Sequence, residues 1–314
     1  MVKKPFCKLD NRIVEQRSRG LSGDQAEDLR RQRKSEQISR PSAHSALRIT
    51  ITGGKGGVGK SNFALNAAIT LATFERKVLL VDADANLANL DLLLGVHPQW
   101  NLSDLIDGRK DVREVLAPGP EGISILPGAS GDLSLLNLSA EIEHRLTASF
   151  NELDQTFDVI IIDTSAGLSP QIISYAAGAD EVIIITQPEP TAAADAYAMI
   201  KVISRQSPNA RVHILVNMVK SNEQAADLFD RLNLVVQNFL QFPIEFLGAL
   251  PFDPFVQQAV SMQKPFCLQF PKAPASIAVR MLMRKLLRLN KPLASETKGT
   301  LLSRLFYVKR SSNA

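Results

Sequence analysis

The stretch Gly53-Gly54-Lys55-Gly56-Gly57-Val58-Gly59-Lys60-Ser61 combines glycines, two lysines and a terminal hydroxyl at spacings that suit one task, holding an anion. Glycines allow consecutive backbone N–H groups to turn inward without a Cβ clash, and a following helix N-terminus adds its own positive end. Gly54, Gly59, Lys60 and Ser61 meet the pattern G-x-x-x-x-G-K-[ST], which cradles nucleotide phosphates. Lys60 is placed to reach the β- and γ-phosphates and Ser61 to ligate Mg²⁺, with Asn62 behind them expected to bind the nucleotide as well. A glycine-rich turn that only joins strand to helix is the plain alternative, and it leaves the Lys-Ser pair unexplained.

Two further sites follow the same logic. Val78-Leu79-Leu80-Val81-Asp82-Ala83-Asp84 ends a strand in two alternate carboxylates. In an open parallel sheet, ligands gather outside the carboxyl ends of the strands. Asp82 is therefore a candidate for the metal shell and Asp84 for orienting the attacking water, against the alternative that one of them only caps the next turn. Phe157-Asp158-Val159-Ile160-Ile161-Ile162-Asp163 ends in a lone acid, Asp163, expected to act on Mg²⁺ through water. Thr164-Ser165-Ala166-Gly167 follows as a small-residue loop able to sense the γ-phosphate. Asn217, Pro251 and Asp253 end later strands and are candidates for the base pocket. Asn217 offers a donor and an acceptor together, but asparagine also simply ends strands.

These residues need a scaffold of strands alternating with helices. Strands are expected over Leu47–Thr52, Val78–Asp82, Ile123–Leu126, Val159–Asp163, Glu181–Thr186, Val212–Asn217 and Phe246–Leu250. Several are continuous Val/Ile/Leu runs, the mark of strands buried on both faces. Helical patterns occupy 60–74, 138–153, 170–178, 190–206, 222–240, 253–263 and 275–290. The fold class is α/β, doubly wound, a mostly parallel sheet flanked by helices.

The 314 residues, 45% of them hydrophobic, suffice for one such domain with appendages, expected as 1–45, 46–290 and 291–314. The net charge of +4 is uneven: +5 over residues 1–45, −9 over 46–275 and +8 over 276–314. An acidic body argues against broad nucleic-acid binding and leaves the basic ends as contact segments or merely solvated tails. Cys7 and Cys267 lack partners at ligand or disulfide spacing. No apolar stretch approaches membrane-spanning length and the N-terminus lacks a signal-peptide core, so a cytoplasmic protein is expected.

In order and spacing, Gly54–Ser61, Asp82-x-Asp84, Asp163-x-x-Ala166-Gly167, Asn217 and Gly248–Asp253 resemble the MinD/ParA class of deviant Walker A ATPases, P-loop NTPases. The resemblance implies ATP and Mg²⁺ as ligands, hydrolysis of ATP to ADP and phosphate, and an ATP-dependent homodimer. Lys55 is then the extra lysine that reaches across it, catalytic beside Lys60 and Asp84. Asn86 and Ser165 depart from the common pattern without removing a ligand. Within the class, Asp24-Gln25-Ala26-Glu27-Asp28-Leu29-Arg30 resembles the D-Q-A-x-x-L-R motif of the FlhG (FleN/YlxH) regulators of flagellar number and placement. That similarity implies an FlhF-like GTPase as partner, activated through Gln25, and a flagellar transcription activator or rotor protein as another. Read locally, Ser22 and Gln25 also form a capping box.

The tail places Leu301, Leu302, Leu305 and Phe306 on one helical face among basic residues. This suits a helix lying on the inner face of the plasma membrane, or equally a frayed or docked tail. A MinD/ParA-like division or partitioning ATPase is the alternative within the fold, and a regulator that binds ATP without turnover the alternative outside enzymes.

Overall fold

The computed structural model describes residues 45–84, 90–128 and 140–289. The segment holding Gln25, the loop position Asn86 and the tail with Leu301, Leu302, Leu305 and Phe306 lie outside the described residues.

The chain enters through β1 (Leu47–Thr52) and α1 (Lys60–Ala72), then β2 (Val78–Ala83). Three short helices follow, α2 (Leu90–Leu94), α3 (Leu102–Ile106) and α4 (Val112–Val115), and lead to the hairpin of β3 (Ala117–Pro118) and β4 (Ser124–Leu126). From there strands and helices alternate: α5 (Ala140–Thr156), β5 (Val159–Thr164), α6 (Pro170–Gly178), β6 (Glu181–Thr186), α7 (Pro190–Gln206), β7 (Val212–Val219), α8 (Asn222–Leu240) and β8 (Ile244–Pro251). The C-terminal helices are α9 (Pro254–Ser261), α10 (Phe266–Gln269) and α11 (Pro274–Leu289). No described helix is long and apolar enough to cross a membrane.

The strands form one sheet in the order β3-β4-β2-β5-β1-β6-β7-β8, parallel throughout except for the antiparallel edge pair β3–β4. Successive side chains on a strand face opposite ways, and here both faces are covered. Ile49, Ile51 and Ile161 pack against α1 and α11, while Ile160 and Ile162 pack against α5. Ile184, Ile214 and Val216 meet α6, α7 and α8. This two-sided burial is why the strands read as unbroken apolar runs.

The expected strands and helices all form, with ends shifted by a few residues: β7 continues past Asn217 to Val219, and β8 begins at Ile244. The short helices between β2 and β4 escape a periodicity reading because none completes two turns. Their caps were nevertheless written in the sequence: Asn101 with Asp104, and Asp111 with Glu114, each form a reciprocal capping box.

Candidate functional site

β1 lies between β5 and β6, so its C-terminal loop emerges where the crossovers diverge to opposite sides of the sheet. That is the position at which doubly wound folds hold ligands. The loop 53–59 turns into α1 at Gly59, whose φ of 93° is left-handed and strained for any residue with a Cβ. Gly54 answers a packing demand: a Cβ there would lie 2.5 Å from Asp195 Cβ and 2.8 Å from the Asp195 carbonyl oxygen on α7.

Beneath the loop, the carboxylates converge. Asp82 and Asp163 are register partners on β2 and β5. Asp163 is 1% exposed, is hydrogen-bonded by Ser61, and has a buried Oδ1 with no partner. Burial pushes its carboxyl up to about 8, with the like charges of Asp82 and Asp84 acting in the same direction. Lys60 is 8% exposed and its Nζ donates to the Lys55 carbonyl at 3.4 Å. Burial lowers its pKa, opposed by the charges of Asp163 and Asp84. The structure thus brings Lys60, Ser61, Asp82, Asp84 and Asp163 together as the sequence predicts.

Asp82 also takes the turn-capping role weighed as the alternative for this pair. Its Oδ1 accepts from the Asp84 N–H at 3.1 Å and its Oδ2 from the Leu90 N–H at 3.4 Å, so it holds both Asp84 and the start of α2. The sensor loop also leans on the phosphate loop, through Gly167 N–H to the Gly53 carbonyl at 3.2 Å. Thr164 Oγ1 donates to the Ile51 carbonyl at 3.0 Å.

The far side of the loop is braced by amides. Asn217 Nδ2 donates to the Val58 carbonyl at 2.8 Å, and its Oδ1 accepts from Met218 N–H at 2.8 Å, with Met218 at φ 58°. The donor–acceptor pair expected to face a base therefore already holds the loop, leaving one amide N–H uncommitted. Gln187, which sequence reading missed, donates to the Gly57 carbonyl at 3.4 Å. Its position just beyond β6, at the ligand-collecting edge, was the available signal. Glu189 was missed as well; it pairs with Lys55 at 2.7 Å.

Gly59, Asn62, Asn217, Pro251 and Asp253 line one pocket of about 540 Å³ including its open mouth, with Gln257 and apolar walls from Met218, Phe252, Val256 and Phe266. A flat base fits such walls. In the pocket wall, Asp253 Oδ1 accepts from Phe255 N–H and its Oδ2 from Ala275 N–H, both at 3.0 Å, so it also braces the wall it lines.

The fit to a divalent cation rests on Asp163 Oδ1. An unpaired carboxylate oxygen buried beside a serine hydroxyl and two further acids is costly unless a cation completes it.

Comparison with known proteins agrees with this geometry. Residues 46–214 match the family model described as an AAA domain. The chain is 39% identical over 244 residues to the antiactivator FleN of Pseudomonas aeruginosa, covering 78% of this chain and 87% of that one. It is 33% identical to the flagellum site-determining protein YlxH of Helicobacter pylori, covering 69% and 73%. Among solved structures, the septum site-determining protein MinD of Pyrococcus horikoshii complexed with Mg-ADP superposes with a TM-score of 0.62 at 25% identity, over 78% of this chain and 97% of that one. The chain belongs to the MinD/ParA-type ATPases, in their FleN/YlxH branch.

Proposed function

We propose that the protein is a Mg²⁺-dependent ATP switch whose dimerisation regulates the number and placement of bacterial flagella. The observation that carries the chemical part is the cluster of Lys60, Ser61 and the half-satisfied Asp163 under the glycine loop. Ser61, Asp82 and Asp163 are the residues that would hold Mg²⁺, which neutralises phosphate charge when bound. The loop amides and Lys60 hold the phosphates in a fixed, partly dehydrated frame. Asp84, tethered through its backbone to Asp82, orients the attacking water. Little covalent chemistry falls to the protein; positioning and electrostatics do the work.

The dimer is supported by the exposure of Lys55, whose side chain is 42% accessible and pairs with the exposed Glu189. A lysine so placed supplies charge to the nucleotide of a second copy. The flagellar part is supported by likeness to FleN and YlxH, whose names are antiactivator and flagellum site-determining protein. Activation of an FlhF-like GTPase through Gln25, contact with a flagellar transcription activator or rotor protein, and contact of the tail with the inner membrane face extend this reading from the sequence motifs.

ATP turnover with and without Mg²⁺, with dimerisation followed by light scattering, tests the switch. A peptide of residues 20–35 tests the flagellar branch. It should raise FlhF GTP hydrolysis, and its Gln25→Ala form should not; no stimulation by the unaltered peptide rejects that part.

A further inference from the structure

We infer that Asp253 is a positioning residue that transmits occupancy of the base pocket to α11; the inference rests on reading this pocket as the nucleotide base site. Asp253 is 6% exposed, and its two oxygens are held by two different helices, Phe255 N–H of α9 and Ala275 N–H of α11. Ala275 itself lines the pocket beside Phe252, Val256 and Phe266. One carboxylate therefore joins the two helices between which a base must fit.

α11 is built to carry a displacement. It runs antiparallel to β8, starting at the nucleotide edge with Ala275 and reaching back so that Lys285 Nζ donates to the Phe246 and Leu247 carbonyls at 2.7 and 3.0 Å. Its Leu282 occupies the space that a side chain at Gly248 would take, 2.5 Å from an added Cβ, so the helix is keyed to the strand. Val279, Met283 and Leu286 pack into the same core as Phe63 and Leu65 of α1. Ser276 Oγ also donates to the Phe266 and Phe270 carbonyls at 3.2 and 2.8 Å, tying α10 to the first turn of α11.

α10 is in turn hung on α1, through Cys267 N–H to Asn66 Oδ1 at 2.9 Å, while Asn66 Nδ2 donates to the Asn62 carbonyl at 2.8 Å. Asn62 faces the pocket. The base wall and the phosphate-loop helix thus meet α11 through side chains that hydrogen-bond backbone groups of the neighbouring helices. Closely packed elements move as units, so tightening at the pocket reaches the far end of α11, where the chain continues to residues 290–314.

Amide hydrogen exchange on the full chain, with and without saturating Mg-ADP, tests this in the wild type, Asp253→Asn and Asp253→Ser. Asparagine and serine both cap α9 well but lack the second acceptor for Ala275. The wild type should show at least fivefold slower exchange over both 53–66 and 275–289 when nucleotide is added. Each variant should keep the effect over 53–66 and lose it over 275–289. Variants that retain nucleotide-dependent protection of 275–289 overturn the inference. So does a wild type protected over 53–66 alone, whereas a wild type protected over neither refutes the reading of the pocket itself.

Discussion

The ammonium of Lys55 sits 2.7 Å from the carboxylate of Glu189 in the same chain, both side chains about half exposed, at 42% and 51%. On the proposed dimer reading, the lysine that would carry charge to a second copy's nucleotide is paired within its own chain. An exposed pair of this kind contributes about 0–1 kcal/mol, so it is readily exchanged for phosphate. Lys55→Ala should lower ATP turnover at least tenfold while ATP still binds, checked by steady-state kinetics beside equilibrium dialysis. Glu189→Gln should change the melting temperature by no more than a few degrees.

Lys60→Ala should abolish ATP binding on the proposed reading, because it removes the buried cation beside Asp163 and Asp84 under the glycine loop. Asp84→Ala should bind ATP and accumulate as a dimer. Light scattering decides this, and unchanged hydrolysis in the Asp84 variant removes that residue from the mechanism.

The raised pKa of Asp163 predicts a pH-dependent stability in the metal-free protein. Its carboxyl titrates near 8 in the fold against 3.8 ordinarily, so between those values the unfolded chain has released a proton that the native state keeps. Stability therefore falls as pH rises across this window and levels off above about 8. Asp163→Asn cannot titrate there. Denaturant unfolding from pH 5 to 9 should show the wild type losing stability relative to this variant; parallel curves reject the assignment.

Two loop glycines should respond in opposite ways to alanine. At Gly54 the new Cβ meets the α7 backbone at Asp195, an overpacking cost of about 1–3 kcal/mol with loss of ATP binding. At Gly56 no heavy atom lies within 4 Å of the added Cβ, and stability should change by less than about 0.5 kcal/mol. Thermal unfolding and nucleotide titration of the pair read this out.

The buried thiol of Cys267 is pushed up to about 11 by burial and contacts the Thr70 hydroxyl. In a Cys7→Ser background, a thiol reagent at pH 8 should label the protein only as fast as it unfolds. Prompt labelling of the native protein contradicts this packing.

The sequence by itself determined the sheet, the phosphate loop and the acids at strand ends, because each rests on local rules. Val159–Ile162 reads as a strand covered on both sides, and a Lys-Ser pair after glycines at a strand-to-helix junction has one common use. Even the short helices were legible afterwards from Asn101–Asp104 and Asp111–Glu114. What tertiary structure decided was partnership. Asn217 meets Val58 across 159 residues, and Lys55 meets Glu189 across 134, only because β1 inserts beside β6 with β7 next in order. Strand order is set by how helices cover both faces of the sheet, a global packing solution that no local window contains. The same holds for Asp253, which the fold joins to the Ala275 N–H across 22 residues.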